Sequence, residues 1–376
     1  MKIYFVAGEA SGDAHGAALM SALRQLQPDV QLLGRGGPRM RQTAGAEFAD
    51  WSENSAVLGL WEVLKHYSYF RREFHATISQ IRTAQPDAVV LIDYPGFNLR
   101  LARALRQQLP HLTIIYYISP QVWAWNRRRI PQMARYLDLM LCIFPFEAEL
   151  YNQSGLRTIF VGHPMMEHLA ARRIDAPRDP DLVGLFPGSR MRELRKILPV
   201  MLGSAALILQ SRPGTRFEIA AASPTLAAAA EKMLQEARDL PPDRVQLSVR
   251  EAASAMQRAQ AGMVASGTAT LEAAYFRLPF ALVYRVAWPT YWAAKMVVKV
   301  NHLGMPNVLA GREIVPEFIQ AAAEPHAISA AVLRWMNDAA ARAQLVSEFD
   351  AIISTLGKEG ASMAAARAVL DELSRA

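Results

Sequence analysis

Residues 263–272 read Met-Val-Ala-Ser-Gly-Thr-Ala-Thr-Leu-Glu, and they show the unit from which the rest of the chain is built. An apolar run ends at Ala265, the turn Ser266-Gly267-Thr268 follows, and apolar residues at helical spacing begin at Leu271. The pattern predicts a strand, a tight turn and a helix start, where free N–H groups and the positive end of the helix dipole favour an anion. Glu272 lies further along the helix, where it can accept a hydrogen bond from a sugar hydroxyl beside that anion. The stretch therefore predicts a nucleotide site, and the alternative is an N-cap that closes an ordinary strand–helix unit.

The alternation of apolar strand and helix extends in both directions from this stretch. Apolar runs such as 2–7 and 87–93 mark the first half, and the alternation stops in a proline-bearing linker at 163–180 before it restarts. Continuous apolar strands between helices indicate parallel sheets covered on both faces. We therefore expect an α/β fold with two doubly wound, Rossmann-like domains, residues 1–163 and 164–376, that face each other across a cleft at their strand carboxyl ends. The sequence leaves open whether the C-terminal helices return to the first domain or cross to a partner.

The composition is that of a globular protein in a reducing cytoplasm. With 376 residues, of which 52% are hydrophobic and 20% charged, the chain can bury two cores. A single cysteine, Cys142, excludes a disulfide framework and a cysteine metal cluster. The net charge of +7 fits an anionic partner, and without a nucleic-acid motif we expect a membrane surface or phosphate rather than nucleic acid. No bilayer span is expected, because the longest apolar candidate, 280–300, contains Arg285 and Lys295.

Polar side chains are concentrated in the loop after the first strand, Gly8-Glu-Ala-Ser-Gly-Asp-Ala-His-Gly16. Its glycines permit close approach of a ligand to the backbone, although their spacing is not that of the dinucleotide fingerprint. Glu9 and Ser11 are predicted substrate contacts at the cleft edge. For Asp13 and His15 two interpretations have about equal weight: a catalytic role, or a place in the cap and first turn of a helix.

An acid stands at the end of a buried strand in Ile92-Asp-Tyr-Pro-Gly-Phe-Asn98. We expect partial burial there, which would raise the pKa of Asp93 and make it a better base. Helix capping by Asp93 is the alternative, but the Pro-Gly pair already supplies the turn. The next loop, Ser119-Pro-Gln-Val-Trp-Ala-Trp125, precedes arginines at 127–129, and such a mix can hold a sugar ring and an anionic group. An ordinary packed loop with a solvated basic helix start is the alternative there.

Two loops of the second half carry further candidates. Pro187-Gly188-Ser189-Arg190 follows a strand, and the planar guanidinium of Arg190 suits a diphosphate. In the turn-rich segment 303–313, Asn307, Arg312 and Glu313 stand among apolar residues and are candidate polar contacts. An Asp-Pro-Asp sequence at 179–181 precedes its strand, at the wrong end of the sheet for a metal-dependent sugar transferase, so we interpret it as linker.

Residues 57–72 indicate contact with lipid. They combine Leu60, Trp61, Val63 and Leu64 with interleaved aromatic and basic residues. This mix suits an interfacial helix that meets acyl chains and phosphate head groups. A buried core helix has about equal weight, because it explains the leucines and valines.

Six motifs together resemble the lipid-A-disaccharide synthase family, and they span essentially the whole chain in order. The motifs are Gly-Glu-Ala-Ser-Gly-Asp (8–13), Ile-Asp-x-Pro-x-Phe-Asn (92–98), Ser-Pro-x-Val-Trp-Ala-Trp (119–125), Pro-Gly-Ser-Arg (187–190), Ala-Ser-Gly-Thr-Ala-x-Leu-Glu (265–272) and Leu-Ala-Gly-Arg-Glu (309–313). The resemblance implies an inverting, metal-independent glycosyltransferase of the GT-B architecture that needs no cofactor. It implies transfer of 2,3-diacylglucosamine from a UDP donor to 2,3-diacylglucosamine 1-phosphate (lipid X), which releases UDP and forms a β-1,6-linked disaccharide 1-phosphate.

The resemblance also assigns roles to residues. Asp93 matches the catalytic base, Arg190 and Asn307 match positions needed for activity, and Glu272 matches the ribose contact. The remaining predicted donor contacts are Gly188, Ser189, Ser266, Gly267, Thr268 and Arg312. Whether Asp93 or His15 is the base stays open. The resemblance further implies a Gram-negative enzyme bound peripherally to the cytoplasmic face of the inner membrane, and it leaves a homodimer open.

Two other classes of function remain open. Another GT-B UDP-N-acetylglucosamine transferase or a UDP-sugar epimerase would share the nucleotide half and differ in the loops of Asp93 and of Trp123–Trp125. A non-enzymatic membrane-surface protein with a relic nucleotide fold would bind UDP weakly or not at all.

Overall fold

The computed structural model describes residues 1–46, 48–51, 67–297, 300–357 and 360–375. Leu60, Trp61, Val63 and Leu64, which the sequence predicts to meet lipid, lie outside the described residues.

The chain divides into two compact units. The first comprises Met1–Glu167 together with Leu356–Ala376, and the second comprises His168–Thr355. The division falls after residue 167 rather than after 163. The last helix belongs to the first unit, which is one of the two destinations that the sequence left open for the C-terminal helices.

Seven parallel strands form the sheet of the first unit, in the order β3-β2-β1-β4-β5-β6-β7. The strands are β1 Lys2–Ala7, β2 Gln31–Gly36, β3 Ala49–Asp50, β4 Ala88–Ile92, β5 Thr113–Tyr117, β6 Leu139–Cys142 and β7 Thr158–Phe160. The helices are α1 Ala10–Leu26, α2 Pro38–Ala44, α3 Tyr67–Ala84, α4 Pro95–Gln108, α5 Val122–Trp125, α6 Ile130–Met133 and α7 Pro145–Gln153, with a 3-10 turn at Arg127–Arg129. Helix α8, Met165–Ala170, spans the division between the units.

The central strands of this sheet are buried on both faces. β4 and β5 read Ala-Val-Val-Leu-Ile and Thr-Ile-Ile-Tyr-Tyr, and every residue of both strands is buried. β-branched and aromatic residues pack well on a covered parallel sheet. The C-terminal helix of the chain completes the cover, because it packs against α1 and places Ala365, Ala366 and Val369 in the core.

Six parallel strands form the sheet of the second unit, in the order β10-β9-β8-β11-β12-β13. The strands are β8 Asp179–Phe186, β9 Arg216–Ala221, β10 Val245–Val249, β11 Ala259–Ala265, β12 Phe280–Tyr284 and β13 Glu317–Ile319. The helices are α9 Met191–Ser211, α10 Pro224–Glu236, α11 Ala252–Arg258, α12 Thr268–Tyr275, α13 Trp288–Val297, α14 Met305–Ala310, α15 Pro325–Asn337 and α16 Ala339–Thr355. Helix α17, Ala361–Leu373, is the C-terminal helix of the first unit. Two doubly wound α/β domains are thus confirmed.

Helix α9 is the single described helix that is long and apolar enough to cross a bilayer by length and composition. Its most apolar window is 56% buried inside the protein. It packs against α15 and β11 and contributes Leu194, Ile197 and Met201 to the core. These contacts are those of a core helix in a globular unit.

Each sheet has one point where the order of the strands reverses. In the first unit this switch point lies between β1 and β4, and in the second between β8 and β11. The loops that leave two such strands run to opposite faces and open a crevice at the carboxyl ends. The loops with Glu9 and Asp93 meet the first switch point, and those with Arg190 and Ser266 meet the second.

Candidate active site

Asp93 and Glu9 are electrostatic neighbours at the switch point of the first unit. Asp93 follows β4 and is half-buried, whereas Glu9 follows β1 and is exposed at the edge. Burial raises the pKa of Asp93, and the negative charge of Glu9 raises it further, while the backbone N–H of Tyr94 opposes both effects. A carboxylate with a raised pKa is a stronger base. Ser11 is exposed in the first turn of α1, at the same edge.

The backbone that carries Asp93 is strained and firmly held. Asp93 and Tyr94 both adopt left-handed conformations, with φ of 47° and 50°, which non-glycine residues seldom do. The carbonyl of Asp93 accepts hydrogen bonds from the Tyr116 hydroxyl at 2.5 Å and from Asn98 Nδ2 at 2.9 Å. The ring of Tyr94 covers Gly8, where a Cβ would stand 2.4 Å from Cδ1 of that ring. The carboxylate is therefore presented from a fixed backbone.

Trp51, which was not among the residues predicted from the sequence, packs against the loop that carries Asp93. Its indole N–H donates to the carbonyl of Ala7 at 2.6 Å, and its ring lies 5.0 Å from the ring of Phe97 and 6.3 Å from that of Tyr94. Edge-on aromatic contacts of this kind add to the stabilisation that burial provides. The Asp93 loop is thus fixed by packing as well as by hydrogen bonds.

A buried carboxyl group organises the loop at 119–125. Glu147, in the first turn of α7, is fully buried and accepts hydrogen bonds from Ser119 Oγ at 2.6 Å and Trp123 Nε1 at 2.8 Å. A third, longer bond comes from the N–H of Phe144. Burial raises the pKa of Glu147 to about 7, against the opposing effect of these donors. Glu147 was not among the predicted residues, although an acid directly after Phe144-Pro-Phe, at the start of a helix, was a signal.

The outer end of this loop is solvent-exposed. Trp125 is exposed, and the guanidinium of Arg129 lies 4.9 Å from the centre of its ring. Trp123, by contrast, is buried and belongs to the packed part of the loop. Of the two aromatic residues predicted to hold a sugar, Trp125 is the one that a ligand can reach.

Asp13 is a helix cap, although not of its own helix. Its carboxylate is buried and accepts hydrogen bonds from the N–H groups of Gly37, Arg39 and Met40 at the start of α2. Negative charge is favourable at that end of a helix. His15 lies in α1 near His163, whose pKa falls to about 4, chiefly through burial.

The second unit places three loops on neighbouring strands. Gly188–Arg190 follows β8, Ser266–Thr268 follows β11, and β12 ends at Tyr284. Gly188 and Gly267 have φ of 101° and 135°, which glycine adopts without strain. Ser189, Arg190, Gly267 and Thr268 are exposed. The structure therefore brings together the predicted residues around the start of α12, at the switch point of the sheet.

Glu193 orients Arg190 in this group. Arg190 Nη1 lies 2.9 Å from Glu193 Oε1, and the two side chains are 68% and 18% exposed. The carboxylate also packs over Gly188, where a Cβ would stand 2.6 Å from Oε2. Burial and the charge of Glu193 raise the pKa of Tyr284, while Arg190 lowers it, so these side chains share one electrostatic environment.

Glu272 lies in α12, half-buried. Burial raises its pKa, and the positive charges of Arg172 and His168 oppose that effect. Its place four residues after Thr268 puts it about one turn inside the helix whose first N–H groups face the switch point.

Asn307 does not present its side chain to a ligand in this structure. It is fully buried; Nδ2 donates to the carbonyl of Val315 and to Glu317, and Oδ1 accepts from the N–H groups of Ile314 and Val315, all within 2.9 Å. These four bonds use the hydrogen-bonding capacity of the amide. In this structure the side chain fastens α14 to Glu317 of β13, and its predicted role in activity stays a prediction.

Arg312 is engaged elsewhere in the second unit. Its guanidinium pairs with Glu348 of α16 at 2.6 Å. It lies in the connection that precedes β13, whereas the three loops follow the carboxyl ends of their strands. The structure therefore does not bring Arg312 to the group around Arg190.

Comparison with known proteins identifies the family of the chain. Residues 3–369 match the family described as Lipid-A-disaccharide synthetase. The chain is 40% identical to the lipid-A-disaccharide synthase of Pseudomonas aeruginosa (strain UCBPP-PA14), with 100% of this chain and 99% of the relative covered.

Two solved structures share the fold. MurG of Acinetobacter baumannii has a TM-score of 0.55 at 14% identity and covers 100% of this chain and 99% of its own. The UDP-GlcNAc 2-epimerase of Neisseria meningitidis, bound to UDP-GlcNAc, has a TM-score of 0.61 at 12% identity, with 99% of this chain and 100% of its own covered. At these identities the likeness concerns the fold alone, which is the GT-B fold. The match over nearly the full length, together with the identity to the Pseudomonas enzyme, shows that the chain belongs to the lipid-A-disaccharide synthase family of glycosyltransferases.

Proposed function

We propose that this protein transfers 2,3-diacylglucosamine from UDP-2,3-diacylglucosamine to lipid X, with inversion at the anomeric carbon. The products are UDP and the β-1,6-linked lipid A disaccharide 1-phosphate. The observation that carries the proposal is the carboxylate of Asp93, which has a raised pKa and is carried by a firmly held backbone at a switch point, in a member of this family. The first unit binds the acceptor in this proposal, and the second binds the donor.

Asp93 acts as the base. Its carboxylate takes the proton of the acceptor 6-hydroxyl while that oxygen forms a bond to the anomeric carbon of the donor. The bond from the anomeric carbon to the diphosphate oxygen breaks, and UDP leaves with the electron pair. A single displacement of this kind inverts the anomeric centre, and the transition state carries positive charge on the sugar. Glu9 and Ser11 at the adjacent edge contact the acceptor.

The donor unit stabilises the leaving charge. Negative charge grows on the diphosphate as the bond breaks, and hydrogen-bond donors held in place lower the energy of that state. In this proposal the hydrogen-bond donors are Arg190, Ser189, the first N–H groups of α12 and the hydroxyls of Ser266 and Thr268. Gly188 and Gly267 allow the phosphates to approach the backbone, and Glu272 accepts hydrogen bonds from the ribose. The reaction so written uses no cofactor and no metal.

Asn307 contributes through position rather than contact. One of its four hydrogen bonds joins α14 to Glu317 of β13, the strand beside β12 in the sheet, and the other three hold Ile314 and Val315, which lead into that strand. Tyr284 at the end of β12 and Gln320 at the end of β13 are joined through the next turn, where Gln320 bonds both backbone groups of Val286. We assign to Asn307 the support of this side of the donor site.

Both proposed substrates carry acyl chains, so the proposal places the enzyme at the cytoplasmic face of the inner membrane. In this proposal the acyl chains contact four residues of the first half, Leu60, Trp61, Val63 and Leu64. Assembly as a homodimer remains part of the hypothesis and is measured directly by the mass of the purified protein in solution.

The test is to incubate the protein with UDP-2,3-diacylglucosamine and lipid X in detergent, and to measure UDP release and disaccharide formation. Asp93→Ala and Arg190→Ala are expected to lose almost all turnover, and Asp29→Ala, an exposed acid of the first unit, serves as the matched control. Full turnover by Asp93→Ala removes this residue from the role of base. The donor alone is incubated in parallel, because an altered sugar without acceptor would indicate an epimerase instead.

A further inference from the structure

Helix α13 carries the two most exposed large apolar side chains of the described chain. Trp288 and Trp292 are 53% and 55% exposed. Tyr291 lies between them, with its ring centre 5.9 Å from each indole. The ammonium group of Lys295 lies 5.5 Å from the ring of Trp292 and 5.9 Å from that of Tyr291. We call these four side chains the aromatic platform.

Such a surface is unusual on a protein that meets only water. Large aromatic side chains are mostly covered in folded proteins, and a contiguous exposed group of them marks an interaction site. Tryptophan and tyrosine join an apolar ring to a polar N–H or O–H, which suits the boundary between head groups and acyl chains. Lysine beside them can lay its stem along the rings and extend its charge to a phosphate.

The charge around the platform identifies the kind of partner. The platform follows β12 by a few residues and so lies toward the carboxyl edge of the second sheet. The first turns of α9 begin at the same edge and expose Arg192, Arg195 and Lys196. Together with the net charge of +7, these cations favour an anionic surface. Aromatic rings with flanking cations fit a layer of anionic phospholipid head groups.

We propose that the aromatic platform inserts into the head-group layer of an anionic phospholipid bilayer. The inference rests on the proposed function, whose substrates carry acyl chains, and it assigns a lipid contact to the second unit, separate from the segment at 57–72. Since the platform and the loop of Arg190 lie toward one edge of the sheet, a donor lipid can keep its acyl chains in the bilayer while its diphosphate enters the site.

The test uses the full-length protein and sedimented vesicles of phosphatidylcholine, with and without one part phosphatidylglycerol in three. The double variant Trp288→Ala/Trp292→Ala is expected to lower binding to the anionic vesicles about tenfold. Lys295→Gln is expected to lower binding to the anionic vesicles and to leave binding to pure phosphatidylcholine unchanged. Ile174→Ala, which removes a 41% exposed apolar side chain from the same unit, is the matched control and is expected to bind as the unaltered protein does.

Each other outcome overturns the inference. Unchanged vesicle binding by the double variant does so directly. A loss of self-association without lipid, at unchanged vesicle binding, would make the platform a contact between copies. A raised KM for detergent-dispersed donor, at unchanged vesicle binding, would make it a part of the substrate site. Turnover in detergent tests the proposed function separately, because an inactive unaltered protein would refute that function while leaving platform-dependent vesicle binding in place.

Discussion

Arg190 is held by Glu193, whose Oε1 lies 2.9 Å from Nη1 and whose other oxygen packs over Gly188. The pair sits at the start of α9, so the guanidinium is oriented by the helix that carries its partner. Because a guanidinium must be aligned to make two bonds to a diphosphate, orientation matters here as much as charge.

We expect Glu193→Gln to lower kcat/KM for the UDP donor about tenfold, since small misplacements of a binding group are costly. KM for the acceptor should not change. Asp179→Asn, which weakens the ion pair with Arg216 in the same unit, is the control. Steady-state kinetics with each substrate varied decides the matter: a change in acceptor KM alone would place Glu193 elsewhere.

Glu9 should tune the pH dependence of the reaction through Asp93. The base works in its deprotonated form, so activity falls as pH drops through its raised pKa. Glu9→Gln removes a negative charge that raises the pKa of Asp93, and the acidic limb of the pH–rate profile is expected to move to lower pH. An acidic limb that does not move would mean either that Glu9 does not act on the base or that Asp93 is not the base. Asp93→Asn distinguishes the two, because it is expected to reduce kcat by about 10²–10⁴ if Asp93 is the base.

Tyr116→Phe removes the shorter of two hydrogen bonds to the strained carbonyl of Asp93. We expect a loss of about 1 kcal/mol in the free energy of unfolding and a lower kcat, because the carboxylate is less firmly presented. Urea denaturation and kinetics measure both effects. Tyr136→Phe, a half-buried tyrosine of the same unit, should change neither.

Glu147 should make the stability of the protein depend on pH. Its pKa rises from 4.5 to about 7 on folding, so the folded state binds the proton more tightly than the unfolded state does. Stability from this group is therefore greatest below about pH 4.5 and declines as pH rises to about 7. Glu147→Gln should flatten the profile of melting temperature against pH over this interval, and a profile identical to that of the unaltered protein would contradict the assignment.

Asn307→Ala leaves two backbone N–H groups and a carbonyl without their partner, and it removes one of the donors to the Glu317 carboxylate. We expect a loss of about 2–4 kcal/mol in the free energy of unfolding, since unsatisfied buried polar groups are costly. The activity should fall in step with the folded fraction. An inactive variant of unchanged stability would instead give Asn307 the direct catalytic role that the sequence suggested.

The fold was predictable because its central strands are short runs of apolar residues between helical patterns. Segments such as Ala88–Ile92 are short, apolar and flanked by helical patterns, and they are strands in the structure. The destination of α17 was not predictable, since an apolar helix face shows that a helix is covered but not which sheet covers it. The three-residue β13 escaped notice because Glu317-Phe-Ile is too short to show a period.

The loops of the candidate site were predictable, and the partners inside them were not. Asp93 and Arg190 follow strands, so chain position alone brings them to the carboxyl edges. Glu147 accepts a hydrogen bond from Ser119, which lies 28 residues earlier in the chain, and no local sequence pattern predicts such a contact. Asn307 shows the opposite failure, because a polar residue among apolar ones fits both a ligand contact and a buried hydrogen-bonded hub.

Because α17 packs in the first unit, the core of that unit can form in full only after the whole chain has been synthesised. The N–H of His163 bonds the carbonyl of Leu356 at 2.9 Å, and Glu167 accepts from the N–H of Gly360 at 2.7 Å, so the end of the chain is fastened beside residues made far earlier. During translation the N-terminal half leaves the ribosome before α17 is made, so the part of α1 that α17 covers stays exposed until then. The first unit therefore begins to be synthesised first but can complete its core only after the end of the chain is made. A fragment that stops near residue 167 lacks the residues of α17 that belong to that core.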